Sequence, residues 1–298
     1  MQGDAKISAK VWSHDRSRLG EGIGLDVTTG CLRWFDILDR RRVAQEFGQD
    51  VAESTAIAGM PSAGAAIDET REMIFTETGL WIFDRTRGKL GERIASIEAD
   101  RPDLRSNDGR THPSGAFWGS TMALDQSTGK GSIYWIFRGE VRRIYSDLTV
   151  GNAICFSEDG TQAYFSDTPR GTIWRVATDP DNGLPDGEPA LFNQRADDDP
   201  GAPDGAVLDC DGYLYSARWG GAEVQVLAPD GGLVRRIATG APHTTCPAFC
   251  GPGLSHIAIT TARDGMTADD LAAFPDSGKT FLVDAGCRGR LDPPLRLD

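Results

Sequence analysis

Long apolar runs are missing from this 298-residue chain. No stretch approaches the roughly 18 apolar residues that a membrane-spanning helix needs, so no span is expected. Basic charge is also short: 31 Lys and Arg face 44 Asp and Glu, a net charge of −13 at pH 7. A nucleic-acid binder needs the opposite balance, because its Lys and Arg must displace counterions from phosphates. Histidine is scarce, with only His14, His112, His243 and His256. No GxSxG segment is present and no serine sits in a recognisable nucleophile turn. No GxxxxGK phosphate loop appears either. Long amphipathic helical stretches are lacking; the best candidate, TADDLAAF (267–274), is short. The opening MQGDAKISAK carries no apolar signal core, so no secretion and a cytoplasmic location are expected.

Glycine, by contrast, is plentiful, with 36 residues. Six cysteines are present: Cys31, Cys155, Cys210, Cys246, Cys250 and Cys287. In a reducing compartment they are expected as free thiols, and the Cys246/Cys250 spacing, without a second pair, does not describe a zinc site. With 39% hydrophobic residues the chain is apolar enough to fold, and its length suits one large all-β domain.

Short β-rich runs recur behind Gly/Asp turns: CLRWFDI (31–37), EMIFTET (72–78), AFWGSTM (116–122), QAYFSDT (162–168), YLYSARW (213–219) and HIAITTA (256–262). Anchored on Leu32, Met73, Phe117, Ala163, Leu214 and Ile257, they are spaced by 41, 44, 46, 51 and 43 residues. Most are followed by a turn and a second strand, as in SIYWIFR (132–138) and GTIWRVA (171–177). A period of this size marks an array of supersecondary units. Six multi-stranded units without intervening helices predict an all-β, six-bladed β-propeller over residues 1–298, as one domain. The glycines then serve tight turns at positive φ.

In a propeller, equivalent inner-strand positions converge on one axis. Each anchor strand follows a turn: DVTTG (26–30), DETR (68–71), HPSG (112–115), SEDG (157–160) and DCDG (209–212). Five residues before each turn stand Glu21, Ala63, Asn107, Asn152 and Asp204, with Thr245 or Cys246 in the sixth unit. Four of these positions carry side-chain oxygens. Two carboxylates and two carboxamides converging on a channel mouth describe a site for a hard divalent cation. His112 opens a turn and is expected to be solvated. His243 lies near the sixth inner strand, within reach of the mouth. The run DDDPG (197–201) is expected as a solvated connection.

Five segments carry a specific resemblance: LGEGIGLDVTTGCLRWFDI (19–37), RSNDGRTHPSGAFWGSTM (105–122), VGNAICFSEDGTQAYFSDT (150–168), APDGAVLDCDGYLYSARWGG (202–221) and TTCPAFCG with TTARDGM (244–251, 260–266). In these the chain resembles the SMP-30/gluconolactonase/luciferin-regenerating family over nearly its whole length. The resemblance implies a six-bladed propeller with one divalent metal at the channel mouth, and hydrolysis of a sugar lactone. It places the metal ligands on Glu21, Asn152 and Asp204, and substrate contacts on Arg105 and Asn107. It allows an acidic contact from Asp125. The chain departs from the family pattern at Ile23 and Leu25, and at Leu124, where an acidic residue is usual.

The implied mechanism has the metal (Ca, Zn, Mn, Mg or Fe) act as a Lewis acid on the lactone oxygen. Asp204 is the expected general base, and Arg105 and Asn107 grip sugar hydroxyls or the developing oxyanion. Two other readings stay open: a metal-dependent esterase or phosphotriesterase on the same scaffold, and a non-catalytic calcium-binding propeller. The expected partner is a small-molecule lactone, and the expected assembly a monomer.

Overall fold

The computed structural model describes residues 5–297. Two short strands open the chain, β1 (Ala5–Ser8) and β2 (Lys10–Ser13). A four-stranded meander follows: β3 (Gly20–Leu25), β4 (Cys31–Asp36), β5 (Arg41–Glu46) and β6 (Glu53–Ala56). The next holds β7 (Ala63–Ala66), β8 (Arg71–Thr76), β9 (Gly79–Asp84) and β10 (Lys89–Ser96). The third comprises β11 (Leu104–Thr111), β12 (Phe117–Ala123), β13 (Gly131–Phe137) and β14 (Glu140–Leu148). The fourth is β15 (Gly151–Phe156), β16 (Gln162–Asp167), β17 (Thr172–Thr178) and β18 (Pro185–Gln194). The remaining strands are β19 (Ala202–Leu208), β20 (Leu214–Trp219), β21 (Glu223–Leu227), β22 (Leu233–Ala238), β23 (His243–Cys250), β24 (His256–Ala262) and β25 (Thr280–Asp284). With β1 and β2 they form one nine-stranded sheet.

The first strands of the meanders touch in a closed ring, β3 to β7, β11, β15, β19, β23 and back to β3. This is the all-β propeller expected from the repeat. The count of six separate blades needs correction. Hydrogen bonding yields four separate sheets and one larger sheet. In the larger sheet two meanders, β19–β22 and β23–β25 with β2, are joined through the single pair Trp219↔His243. The chain closes on itself through β2, which pairs antiparallel with β25, and β1, which runs parallel to β22.

Burial follows the radial order. β11, β12 and β15 are buried at every residue, whereas the outer β6 has no buried residue. Inner strands are covered on both faces by neighbouring sheets, so they need not alternate. Aromatic edges fill the spaces between sheets: Phe75 meets Phe117 at 6.0 Å and 86°, and Trp118 meets Phe156 at 5.3 Å and 89°. A Cβ on Gly119 would lie 2.6 Å from Phe75, so close packing there requires glycine. The turn before β4 works as its sequence suggests: the Asp26 carboxylate accepts from the Thr28 N–H at 2.9 Å, and Gly30 adopts φ 74°.

The α-helix expected within 267–274 forms over Ala268–Ala273, under a capping box between Thr267 and Asp270. All six cysteines are free thiols. Among the described residues, no helix is long and apolar enough to cross a membrane.

Candidate active site

The positions reached by counting back from the turns share a backbone device. The ladder of β3 with β4 breaks register between Glu21 and Gly24. That of β11 breaks between Ser106 and Gly109, and that of β15 between Asn152 and Cys155. β19 breaks between Pro203 and Ala206, and β23 between Thr244 and Pro247. Each inner strand thus bulges beside the predicted position. The exception is β7, which carries Ala63 and pairs in regular register with β8. A bulge kinks its strand and re-aims a side chain. Here the bulges turn Glu21, Asn107, Asn152 and Asp204 into one open cavity of about 200 Å³. Arg105 lines it as well, with Leu38, Leu124 and Trp219 supplying apolar wall.

Gly22 follows the first of these residues at φ 58°, and a Cβ there would stand 2.2 Å from the Ser62 carbonyl oxygen. Left-handed backbone costs an L-residue roughly 1–2 kcal/mol before any clash. Gly22→Ala is therefore expected to lower thermal stability and to displace Glu21. Thermal denaturation should show a melting temperature several degrees below wild type; an unchanged one would show that the turn accommodates a side chain.

A polar chain crosses three inner strands. Arg105 Nη1 donates to Asn107 Oδ1 at 2.8 Å. Asn107 Nδ2 donates to Asn152 Oδ1 and to the Gly151 carbonyl, both at 3.0 Å. Asn152 Nδ2 donates to Thr168 Oγ1 at 2.8 Å, and that hydroxyl donates to the Pro203 carbonyl at 2.8 Å, next to Asp204. Thr168 also lines the cavity. Sequence reading missed it, although it ends the recurring run QAYFSDT.

The two carboxylates are treated differently from these amides. Burial, then the charges of Asp204 and Asp108, push the Glu21 carboxyl well above its usual range. Burial and Asp108 do the same to Asp204. Each has the N–H of its following glycine, Gly22 or Gly205, as a hydrogen-bond donor. Arg105 is the cation that stabilises both, and burial lowers its own pKa to about 10. Two buried like charges sharing one cation need a further positive charge to remain ionised. Glu21, Asp204 and the Asn152 carboxamide form a hard oxygen set that fits a divalent cation. Among the described residues, no group of three or more His, Cys, Asp and Glu is placed to hold a metal ion.

Other expectations change. Asp125 does not line the cavity: it is exposed, and its carboxylate accepts from the N–H and hydroxyl of Ser127, closing its own turn. Its neighbours Leu124 and Gln126 face the cavity instead. His112 is buried rather than solvated, its Nε2 2.9 Å from the Gly160 carbonyl oxygen and its Nδ1 2.8 Å from Ser114 Oγ. His243 stacks on Trp219 at 4.1 Å, so Trp219 stands at the mouth and His243 behind it. Thr245 does not line the cavity; its hydroxyl donates to the Gly20 carbonyl at 2.6 Å and props the strand bearing Glu21. The DDDPG run is an exposed connection, as expected, with Asp197, Asp198 and Pro200 exposed and Asp199 engaged by Gln225 Nε2 and the Gly201 N–H.

Known proteins resemble this chain in sequence and in fold. Residues 19–263 match the SMP-30/Gluconolactonase/LRE-like region. A Rhizobium meliloti (strain 1021) protein named "Putative sugar lactone lactonase" is 40% identical over 293 residues, 98% of each chain. The 6-deoxy-6-sulfogluconolactonase of Pseudomonas putida is 32% identical over 93% of this chain and 94% of its own. The crystal structure of a calcium-binding protein, regucalcin, from Agrobacterium tumefaciens superposes with a TM-score of 0.95 at 37% identity, covering 98% of both chains. By sequence and by fold, this chain belongs to the SMP-30/gluconolactonase/LRE-like family.

Proposed function

We propose that the protein hydrolyses a sugar lactone to the aldonic acid, using a divalent cation held by Glu21, Asn152 and Asp204. The observation that carries this reading is the convergence of two under-compensated buried carboxylates and the Arg105–Asn107–Asn152 chain on one open cavity. The names of the relatives support the substrate class. Counting the two meanders of the large sheet separately, we read the propeller as six-bladed. The enzyme is read as a cytoplasmic monomer acting on a small molecule.

A divalent cation bound there supplies Lewis acidity toward the lactone oxygen. Asp204 takes the proton from the attacking water. Water adds to the carbonyl carbon, the bond from that carbon to the ring oxygen breaks, and the ring oxygen leaves as a hydroxyl carrying the proton that Asp204 took from the water. Arg105 faces the charge that develops on the carbonyl oxygen. Its hydrogen bond to Asn107 Oδ1 holds both groups in place, which reduces the cost of ordering them around substrate. Leu38, Leu124 and Trp219 exclude water from the less polar face of the ring.

A pH-indicator assay on a panel of aldonolactones and one aryl ester, each with and without chelator, tests this. Acid release from lactones alone, abolished by chelator and restored by a divalent ion, is expected. Turnover of the ester alone would reassign the reaction. No turnover of any substrate would leave a cation-binding propeller without catalysis.

A further inference from the structure

We propose that Asp108, Arg110 and Asp292 form a clamp inside the channel that holds the β15 bulge and so sets the direction of Asn152, an inference that rests on the lactonase reading of the mouth. The β15 ladder passes from Asn152↔Ser166 directly to Cys155↔Tyr164, leaving Ala153 and Ile154 outside it. Ala153 takes φ 55°, a left-handed conformation unusual for a residue with a side chain. The backbone groups of Ile154 are buried, and buried peptide groups need partners. Both come from β11. The Ile154 N–H donates to Asp108 Oδ2 at 2.8 Å, and the Ile154 carbonyl accepts from Arg110 Nε at 3.2 Å. One peptide segment is thereby gripped from both sides, two residues from Asn152.

The grip has a third member from the far end of the sequence. Arg110 is buried, and its Nη1 pairs with the carboxylate of Asp292. Asp292 lies in the segment after β25, which crosses the channel beside the C-terminal ends of the inner strands, opposite the mouth. Backbone hydrogen bonds fix its route. Cys210 N–H donates to the Arg288 carbonyl at 2.8 Å, Leu295 N–H to Ala66 at 2.8 Å, and Arg296 N–H to Gly115 at 3.0 Å. Without Asp292, the carboxylate left acting on Arg110 is Asp108, which is already engaged by the N–H groups of Ile154 and Gly109. A buried guanidinium that loses its partner draws on what remains. Turning toward Asp108 would release the Ile154 carbonyl and disturb the carboxylate that holds the Ile154 N–H. The bulge would then lose its grip and Asn152 its fixed direction. Asp108, Arg110 and Asp292 are thus positioning residues, acting on the site through the backbone of β15.

The test compares the wild-type chain with Asp292→Ala and Asp292→Asn. Hydrogen exchange of the segment 150–156 is followed by mass spectrometry, Mn²⁺ binding by calorimetry, and lactone turnover by steady-state kinetics. In Asp292→Ala, Mn²⁺ affinity and kcat are each expected to fall about tenfold, the lower range for loss of a group that orients a ligand, with KM within about twofold of wild type. Exchange over 150–156 should accelerate while the outer strands β14 and β18 keep wild-type rates. Asp292→Asn, which retains an acceptor for Arg110 without the charge, should fall between, and it carries the same readouts if the alanine variant does not fold. Wild-type exchange over 150–156 in the variants, or acceleration there only in step with β14 and β18, overturns the clamp. If the wild-type chain itself neither binds Mn²⁺ nor opens a lactone, the lactonase reading fails separately, and the exchange pattern alone decides the clamp.

Discussion

Replacing Asp204 by Asn is expected to lower kcat/KM for the preferred lactone by about 10³-fold, within the range that loss of a general base produces, and to weaken divalent-ion binding with it. The substitution is nearly isosteric, so the bulge of β19 and the chain from Thr168 to the Pro203 carbonyl should survive. What disappears is one of the two carboxylates that face each other under the mouth. In the ion-free protein that carboxylate is a liability, because it is buried beside Asp108 and Glu21 with Arg105 as the cation that offsets it. Asp204→Asn should therefore raise the melting temperature measured in chelator while removing activity. Opposite movements of stability and activity mark a side chain kept for chemistry rather than for the fold. Activity within tenfold of wild type would remove Asp204 from both roles assigned to it.

Glu72→Ala should have the largest effect on stability, about 3–5 kcal/mol, the usual consequence of breaking a buried ion pair from one side. Glu72 is fully buried between the first two meanders. It meets Arg33 Nε at 2.9 Å and Arg42 Nη2 at 2.8 Å, with Arg85 Nε at 3.6 Å. Burial lowers the Arg33 pKa, and Glu72 offsets this more than any other group. Truncation leaves Arg33 inside the protein with Asp26 as the next carboxylate acting on it, and Asp26 is already paired with Arg85. A fall in melting temperature of roughly 10 °C is expected for a chain of this size. Arg71→Ala, which breaks the exposed pair with Asp68 and leaves the turn bonds to the Asp68 carboxylate in place, serves as the control and should leave the melting temperature unchanged. A loss below about 2 °C for Glu72→Ala would show that water or a neighbouring carboxylate replaces Glu72 at little cost.

The two sites differ in how visible they are in sequence. Glu21, Asn107, Asn152 and Asp204 can be reached by counting, because a repeat places equivalent residues on one axis. Glu72 cannot, since its two nearest partners, Arg33 and Arg42, come from strands 30 or more residues away and no spacing rule links them. The same holds for Thr168, which reaches the site only because its hydroxyl bridges β15 and β19. Asp125 failed for the opposite reason. It stands next to cavity-lining residues in sequence, but side chains that are neighbours along a chain point in different directions, and Ser127 holds its carboxylate in a turn. His112 looked like a turn residue and is one, yet the turn is packed beneath Phe156 at 4.9 Å.

The sequence by itself determined the period, the all-β architecture, the alternation of turn and strand, and four of the side chains that meet at the mouth. These are local properties: turn chemistry, β propensity and repetition need only neighbouring residues. The tertiary structure decided the rest. The union of the last two meanders depends on one pair, Trp219↔His243, between strands 24 residues apart. The aim of each site residue depends on a bulge, and a bulge exists only relative to the strand paired with it. The charge of −13 illustrates the difference. Its sum is a sequence property with little bearing on chemistry, whereas the effect of Glu21 and Asp204 arises because folding removes them from water and brings them together.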